Sequence, residues 1–183
     1  MKRDERYQQA FQTYLNIDPL TADDDMLLKA MKEQNIDIQA PQSLSYDSKL
    51  QLLFSYAIEP KIGIEKPCFI YDFPASQAAL AKLSSDDERV AERFEVYYQG
   101  AELANGFNEL SAEKEQRLRF ETDNRKRDEH GLPTKPIDEN FLSALDAGLP
   151  ACAGVALGID RLLMLKINAK HIQEVINFTV SRA

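Results

Sequence analysis

The chain has 183 residues, of which 44% are hydrophobic, and its 30 acidic side chains outnumber 22 basic ones to give a formal net charge of −8. This length and hydrophobic content suffice for one sizeable core, and no Pro-, Gly- or Ser-rich linker divides the chain, so we expect a single domain. An acidic chain repels phosphate polymers, which argues against broad binding of tRNA or DNA.

The two cysteines and the first residues of the chain indicate its compartment. Cys68 and Cys152 have neither the spacing of metal ligands nor a disulfide-rich context, so we expect two reduced thiols. The first five residues are mostly charged, and no apolar stretch reaches the roughly 20 residues that cross a bilayer. We therefore expect a cytoplasmic protein without a membrane segment.

The predicted elements change character near residue 63. Apolar residues recur at helical spacing around residues 7–15, 24–35 and 50–57, and Thr21 with Asp24 resembles a capping signal for the second of these helices. We interpret residues 1–62 as a helical insertion against the edge of a sheet.

Residues 63–183 alternate between strand and helix patterns. Aromatic, β-branched or small apolar runs predict strands at residues 68–71, 93–98, 101–104, 151–157 and 175–180, the run at 151–157 being buried. Capped helical patterns follow Ser111 and Asp138, and a third helix is predicted from Asp160 to Leu165. The predicted fold class is α+β, an antiparallel sheet flanked by helices.

A predicted hairpin aligns two carboxylates. With residues 99–100 as its turn, regular pairing opposes Glu95 to Ala104 and places Glu95 and Glu102 on one face, with Cβ atoms about 7–8 Å apart or less. Two carboxylates aimed at one point favour a magnesium ion with ATP phosphates, and Glu109 adds a third carboxylate suited to an ammonium group. The alternative is a solvated sheet face, where most strand glutamates lie.

Arg161 occupies an unusual position, in the first turn of a helix that follows a strand. A cation there opposes the helix dipole, so we expect an anionic partner, and a guanidinium suits phosphate oxygens. Gly158 at the junction leaves room for a base or ribose to approach the backbone. The alternative is a plain surface salt bridge to Asp160 or another acid.

Several ordered motifs resemble those of class II aminoacyl-tRNA synthetases. Residues 102–110, followed by Gln116, Arg119 and Phe120, resemble the amino-acid-binding segment of lysyl-tRNA synthetases, and residues 138–145, 148–150 and 154–162 are similar to class II motif 3. Residues 73–80 and 89–98 look most like the family of elongation factor P (R)-β-lysine ligases, which are lysyl-tRNA synthetase paralogues without an anticodon-binding domain. The resemblance extends from about residue 67 to the end.

That resemblance implies an enzyme that uses ATP and Mg²⁺ to activate β-lysine as an adenylate and then transfers it to a lysine of elongation factor P, without charging tRNA. The full-length protein is expected to be a homodimer. Residue roles carried over by motif are magnesium binding by Glu95 and Glu102; ATP binding by Glu102, Leu103, Gly158 and the catalytic Arg161; and substrate binding by Asn105, Phe107, Glu109 and Ala156. Ala156 departs from the glycine usual in lysyl synthetases, which implies a reshaped pocket floor.

Two parts of the class II pattern are not found before residue 67: the first motif, at the dimer interface, and the second, whose arginine grips the α-phosphate. We therefore expect residues 1–183 to be the C-terminal portion of a catalytic domain, with residues 63–183 holding the sheet and motif 3, and to form no adenylate alone. The alternatives are a fragment of a lysyl-tRNA synthetase, a non-catalytic paralogue acting as a binding module, and an unrelated α+β domain.

Overall fold

The computed structural model describes residues 4–180. The main elements in that part of the chain are β1 (Asp4–Arg6), α1 (Tyr7–Leu15), α2 (Asp24–Glu33), α3 (Tyr46–Leu53), β2 (Cys68–Pro74), β3 (Val90–Tyr98), β4 (Ala101–Asn108), α4 (Glu113–Glu129), α5 (Glu139–Asp146), β5 (Ala153–Leu157) and α6 (Ile159–Ile167). None of these helices has the length and apolarity needed to cross a bilayer.

The strands form one mixed sheet in the order β1-β2-β3-β4-β5. The pairs β2–β3, β3–β4 and β4–β5 are antiparallel, whereas β1 runs parallel to β2. This arrangement confirms the α+β class and the antiparallel core of the sheet. It also adds a strand within the segment predicted to be helical, because a three-residue strand of charged residues gives no detectable alternation.

The N-terminal helices pack on one face of the sheet, while β1 of the same segment forms the edge of the sheet beside β2. Tyr7 of α1 stacks on Phe54 with ring centroids 5.2 Å apart, and Phe54 lies in a π-helical turn, Phe54–Ile58, that continues α3. The fully buried core joins these helices to one side of β2 and β3; its members include Phe11, Leu27, Met31, Leu50, Leu53, Ile58, Ile70, Phe73 and Tyr97.

Helix capping follows the sequence in part. The Asp138 side chain accepts a hydrogen bond from Phe141 N at 3.0 Å and begins α5, as predicted. Helix α2 is capped by Asp23 rather than Thr21, and α4 begins after Ala112 without a side-chain cap, so the predicted Ser111 cap is wrong. Asp23 directly precedes α2, so its side chain can accept a hydrogen bond from a backbone N–H of the first helical turn.

The C-terminal predictions were less accurate. Strand β5 exists, but it is exposed rather than buried, with Val155 60% accessible. The predicted strand at residues 175–180 is absent from the described residues; a short 3-10 turn, Ile172–Glu174, precedes irregular chain there. An apolar run forms a strand only beside a partner strand, and these residues join none of the sheet's edges. Cys68 and Cys152 are free thiols, as predicted.

Candidate functional site

The β3–β4 hairpin positions most of the predicted site residues. Its turn residues, Gln99 and Gly100, have φ values of 50° and 75°, the positive values that a two-residue hairpin turn requires. The first pairs are as predicted, with Tyr97 opposite Glu102. The register then shifts by one residue, so Glu95 lies opposite Asn105 and not Ala104.

The extra residue in this register shift is Leu103, which forms a β-bulge on β4. Glu102 and Asn105 are three residues apart and would point to opposite faces of a regular strand. Because cross-strand partners share a face, the bulge puts Glu102, opposite Tyr97, and Asn105, opposite Glu95, on the same side. One inserted residue therefore brings the carboxylate pair and the predicted substrate residues together.

Strand β5 extends this face, which we call the site face. Ala156 lies opposite Asn105 and Gly154 lies opposite Phe107. A Cβ atom added to Gly154 would lie only 2.6 Å from Glu109 Oε1, so the glycine leaves the space that the Glu109 carboxylate occupies. All four predicted substrate residues are consequently on the site face or at its margin.

Arg93 organises the buried half of the site face, and the sequence analysis missed it. Its Nη2 donates to Glu95 Oε1 at 2.5 Å and its Nη1 donates to the Gln77 carbonyl at 2.7 Å. Its Nε lies 3.4 Å from Asn105 Oδ1, and Tyr97 donates its hydroxyl to the second oxygen of Glu95. The sequence carried a signal, because Arg93, Glu95 and Tyr97 alternate on one strand and must share a face.

The environment of Glu95 keeps Tyr97 a hydrogen-bond donor. Burial raises the pKa of the Tyr97 hydroxyl above its usual range, and the negative charge of Glu95 and their hydrogen bond raise it further. Glu95 itself is buried, so its charge depends on Arg93 and Tyr97 for compensation. The sequence predicts that Glu95 binds a cation. For that, Glu95 has only the lone pairs that Arg93 and Tyr97 leave free.

A cavity of about 580 Å³ opens beside the hairpin turn and is lined in part by Glu59, Glu102 and Arg161. Arg161 Nη1 donates to the Glu102 carbonyl at 2.5 Å and lies 3.7 Å from Glu102 Oε2. The structure therefore shows the ion pair of the alternative interpretation, made to Glu102 rather than to Asp160, and the contact of Arg161 with a phosphate stays a prediction. The Gly158 N–H donates to the Leu103 carbonyl at 2.8 Å, which joins the bulge to the start of α6.

Glu59 is a second cavity residue that the sequence analysis missed. Burial raises its pKa, and the charges of Glu102 and Glu95 raise it further. The pKa of Glu102 is also raised, first by burial and then by Glu95, while Arg161 opposes the shift. Glu59 follows a buried helical turn and belongs to no spacing motif, so only the tertiary fold brings it here.

The charges of Glu59, Glu95 and Glu102 repel one another, which raises the pKa of Glu59 and of Glu102, and a bound cation would relieve this repulsion. The described residues contain no ready-made cluster of three His, Cys, Asp or Glu ligands. This donor set fits magnesium, which is commonly bound through one or two carboxylates together with substrate phosphates. It does not fit an ion that needs a complete protein cage.

Gly158 is not required by the fold itself. An added Cβ would meet no atom closer than 3.5 Å, and the backbone does not adopt a positive φ there. The three predicted nucleotide contacts Leu103, Gly158 and Arg161 nevertheless meet at one place, where the β4 bulge touches the N-terminus of α6.

Comparison with known proteins agrees with this geometry. A family described as tRNA synthetases class II (D, K and N) matches residues 2–182. The chain belongs to this class II tRNA synthetase family. Its α+β fold is therefore that of part of a class II catalytic domain, and the bulged hairpin and the β5–α6 junction lie within the matched residues.

Curated relatives match nearly the whole length of the chain. A protein of Proteus mirabilis (strain HI4320) named "Elongation factor P--(R)-beta-lysine ligase" is 59% identical over 177 residues, which are 97% of this chain and 54% of that protein. Proteins with the same name from Salmonella dublin and Salmonella enteritidis PT4 match with the same identity and coverage. The chain spans about half the length of the curated relatives it matches.

Proposed function

We propose that this chain supplies the amino-acid pocket and part of the nucleotide site of an ATP-dependent ligase, which activates (R)-β-lysine as an adenylate and transfers it to a lysine of elongation factor P. One observation carries the proposal: the bulge at Leu103 gathers Glu102 and Asn105 on one face. The names of relatives at 59% identity support the substrate assignment.

In this proposal the amino-acid substrate lies on the site face. The Glu109 carboxylate, placed against Gly154, holds an ammonium group, because a carboxylate is the natural partner of a buried cation. Asn105 and Phe107 form the adjoining wall, and the methyl group of Ala156 forms the floor opposite Asn105. A methyl in place of a hydrogen there alters which amino-acid isomer fits.

The nucleotide occupies the neighbouring cavity. Arg161 is close enough to Glu102 for both to act on one phosphate group, the arginine directly and the carboxylate through a cation. Gly158 and Leu103 offer backbone against which a flat base or ribose can lie. Magnesium, held by Glu102 and by the remaining lone pairs of Glu95, would neutralise phosphate charge.

The reaction needs little covalent chemistry from the protein. The substrate carboxylate attacks the α-phosphate of ATP and pyrophosphate leaves, so the residues contribute positioning and charge compensation. Arg161 stabilises negative charge that develops on the phosphate oxygens, and Glu109 holds the substrate's ammonium end in place. In the second step the target lysine amine, after losing its proton, attacks the adenylate carbonyl carbon; an amide bond forms, the bond from that carbon to the phosphate oxygen breaks, and AMP leaves with the electron pair.

We place this activity in the cytoplasm and expect the full-length enzyme to be a homodimer that charges no tRNA. The formal net charge of −8 supports a protein substrate over tRNA, because phosphate polymers are repelled. The charge argument is independent of the sequence resemblance.

The test uses a protein that includes the remaining length of the relatives together with this chain. It is incubated with ATP, Mg²⁺, β-lysine or α-lysine, and either elongation factor P or tRNA, and the products are weighed by mass spectrometry. We expect elongation factor P to gain one β-lysyl group and tRNA to gain nothing. Glu109→Gln should abolish the gain, whereas Glu65→Gln, at an exposed position outside the site, should not. Aminoacylated tRNA instead of modified elongation factor P would refute the proposal.

A further inference from the structure

Residues 77–83, which we call the support segment, lie between β2 and β3 and pair with the chain at the end of β4. Ala81 of the support segment forms an antiparallel bridge with Glu109. The residues that flank this bridge form two backbone hydrogen bonds of 2.9 Å each, from Lys82 N to the Asn108 carbonyl and from Leu110 N to the Leu80 carbonyl. The support segment therefore serves as a short neighbouring strand for Glu109.

The backbone decides where the Glu109 carboxylate lies. Within the described part of the chain, no residue forms an ion pair or a hydrogen bond with this carboxylate. Its Oε1 occupies a gap beside β5, where a Cβ atom added to Gly154 would come within 2.6 Å. A shift of the Glu109 backbone would therefore move the carboxylate out of this gap, because no side-chain contact holds it there.

Arg119 of α4 holds the support segment. Its Nη1 donates to the Ala79 carbonyl at 2.9 Å and to the Ala81 carbonyl at 2.8 Å. Its Nη2 donates to Glu115 Oε1 at 2.5 Å, and only 19% of the Arg119 side chain is exposed. The guanidinium thus connects α4 to Ala81, the residue that pairs with Glu109.

The support segment needs such a restraint because its backbone is strained at Ala79. This residue has a φ of 52°, in the left-handed region that a residue with a Cβ atom rarely adopts unless surrounding contacts hold it there. Arg119 bonds to the carbonyl of Ala79 itself. The segment also packs beneath the predicted substrate wall, since Ala78 and Ala81 are buried in a cluster that Phe107 contacts. Loss of Arg119 would let the segment relax toward ordinary backbone angles.

We propose that Arg119 is a positioning residue for the amino-acid pocket. It fixes the support segment, and through the pairing of Ala81 with Glu109 it fixes the carboxylate that binds the substrate ammonium. This role rests on the proposed function, in which Glu109 holds that ammonium group. A misplacement of about 1 Å can cost about 100-fold in rate, so a residue that acts only through another can still control how well the substrate is used.

The competing interpretation is that Arg119 only stabilises α4. Glu115 and Arg119 are four residues apart on this helix, and exposed pairs with that spacing contribute little to stability. Glu115→Gln separates the two interpretations, because it removes the charge of the pair and leaves both carbonyl bonds of Arg119 in place. It is therefore the matched control for Arg119→Met.

The first experiment compares Arg119→Met with Glu115→Gln in this chain by amide hydrogen exchange, measured by NMR. Arg119→Met should accelerate exchange of the Leu110 amide, which bonds to the support segment, by at least about tenfold. The Gln116 amide, which bonds to a carbonyl at the start of α4, reports on the helix and should not change. Equal acceleration at Leu110 and Gln116, or the same effect from Glu115→Gln, would overturn the proposal.

The second experiment measures kinetics in the protein that includes the remaining length of the relatives. Arg119→Met should raise the KM for β-lysine by at least about tenfold and leave the KM for ATP within about twofold, because Glu109 is displaced and the nucleotide cavity is not. Glu115→Gln should change neither KM. Arg119→Lys should give an intermediate rise, because both carbonyls accept from one Arg119 nitrogen and an ammonium can replace part of that contact.

Urea unfolding curves verify that each variant folds, and if Arg119→Met does not fold, Arg119→Lys is judged by the same two readouts. An equal rise in both KM values, or an unchanged KM for β-lysine, would overturn the proposal. A protein that does not use β-lysine, although exchange at Leu110 responds as expected, would count against the proposed function and would leave the link between Arg119 and the Glu109 backbone intact.

Discussion

Arg93 and Glu95 lie two residues apart on β3 and form an ion pair on the site face, with Nη2 2.5 Å from Oε1. Only 17% of the Arg93 side chain and 8% of the Glu95 side chain are exposed. The Arg93 guanidinium also lies 4.6 Å from the ring centroid of Phe73, so it is held from several sides. Glu95 is consequently compensated in part within the fold, and its remaining charge adds to those of Glu102 and Glu59 in attracting a cation.

Removal of Arg93 should destabilise the chain strongly. Arg93→Met leaves the Glu95 carboxylate buried with only the Tyr97 hydroxyl as partner, and breaking a buried ion pair on one side costs about 3 kcal/mol or more. The free energy of unfolding, measured with urea, gives this cost. Arg89→Met is the matched control, because Arg89 pairs with Asp87 at the surface, where such pairs contribute little.

A double variant separates the ion pair from the packing of Arg93. In Arg93→Met with Glu95→Gln, the uncompensated charge is gone, so a substantial part of the loss should be recovered. If the double variant is as unstable as the sum of the two single variants, the two side chains are not coupled and the interpretation of Arg93 is wrong.

Gly106 should be intolerant of any side chain. An added Cβ would lie 2.4 Å from Phe94 Cζ and 2.8 Å from the Gly154 carbonyl oxygen. An aromatic ring and a backbone atom cannot both give way cheaply, so Gly106→Ala should lower the free energy of unfolding by about 1–3 kcal/mol. Gly158→Ala is the comparison, since an added Cβ there meets ordinary contacts, and it should cost less than Gly106→Ala in the same urea titration.

Gly154→Ala should affect the substrate more than the fold. The nearest atom to the added Cβ is Glu109 Oε1 at 2.6 Å, and the carboxylate end of a flexible side chain can swing away. We expect a stability change within about 1 kcal/mol, because no backbone atom must move. In the protein with the relatives' full length, the KM for β-lysine should rise while the KM for ATP is unchanged. An equal rise in both would show that Glu109 does not hold the amino acid.

The sequence predicted the strands and the turn of the site better than it predicted the pairing register between the strands. The turn at Gln99 and Gly100 follows from local backbone preferences, and the hairpin came out as expected. The bulge at Leu103 has no local signature, because it depends on how β4 meets both β3 and the start of α6. The only clue was indirect: Glu102 and Asn105 were both assigned to one site, which a regular strand forbids.

Tertiary context explains the other differences from the sequence predictions. Glu59 enters the cavity because a π-helical turn carries the chain past the end of α3, which no spacing rule anticipates. Strand β5 was predicted to be buried from its composition, and Val155 is instead exposed on an open edge. An apolar composition predicts a strand that is buried by neighbouring elements, and among the described residues no strand pairs with the outer side of β5.

Stability should depend on pH through the acids of the cavity. Burial and the Glu102 charge raise the pKa of Glu59 above its ordinary value of 4.5, so the folded chain favours the protonated form. The stabilisation of the folded chain by protonated Glu59 is fully present below about pH 4.5 and is lost as the pH rises through the folded-state pKa of Glu59. Glu59→Gln mimics the protonated state and should therefore raise the free energy of unfolding at pH 7, with a gain that shrinks toward pH 4.

Urea titrations from pH 4 to pH 7.5 measure the gain in the free energy of unfolding that Glu59→Gln produces. The control is Glu65→Gln, at an exposed position away from the cavity, for which we expect no comparable pH-dependent gain. Carbon NMR of the Glu102 carboxyl gives an independent readout, because removal of the Glu59 charge should lower the Glu102 pKa through their mutual repulsion. Added Mg²⁺ should produce the same stabilisation in the unmodified chain, since a cation relieves the repulsion that Glu59→Gln removes. A gain at pH 7 that persists unchanged at pH 4 would show that packing, rather than charge, is responsible.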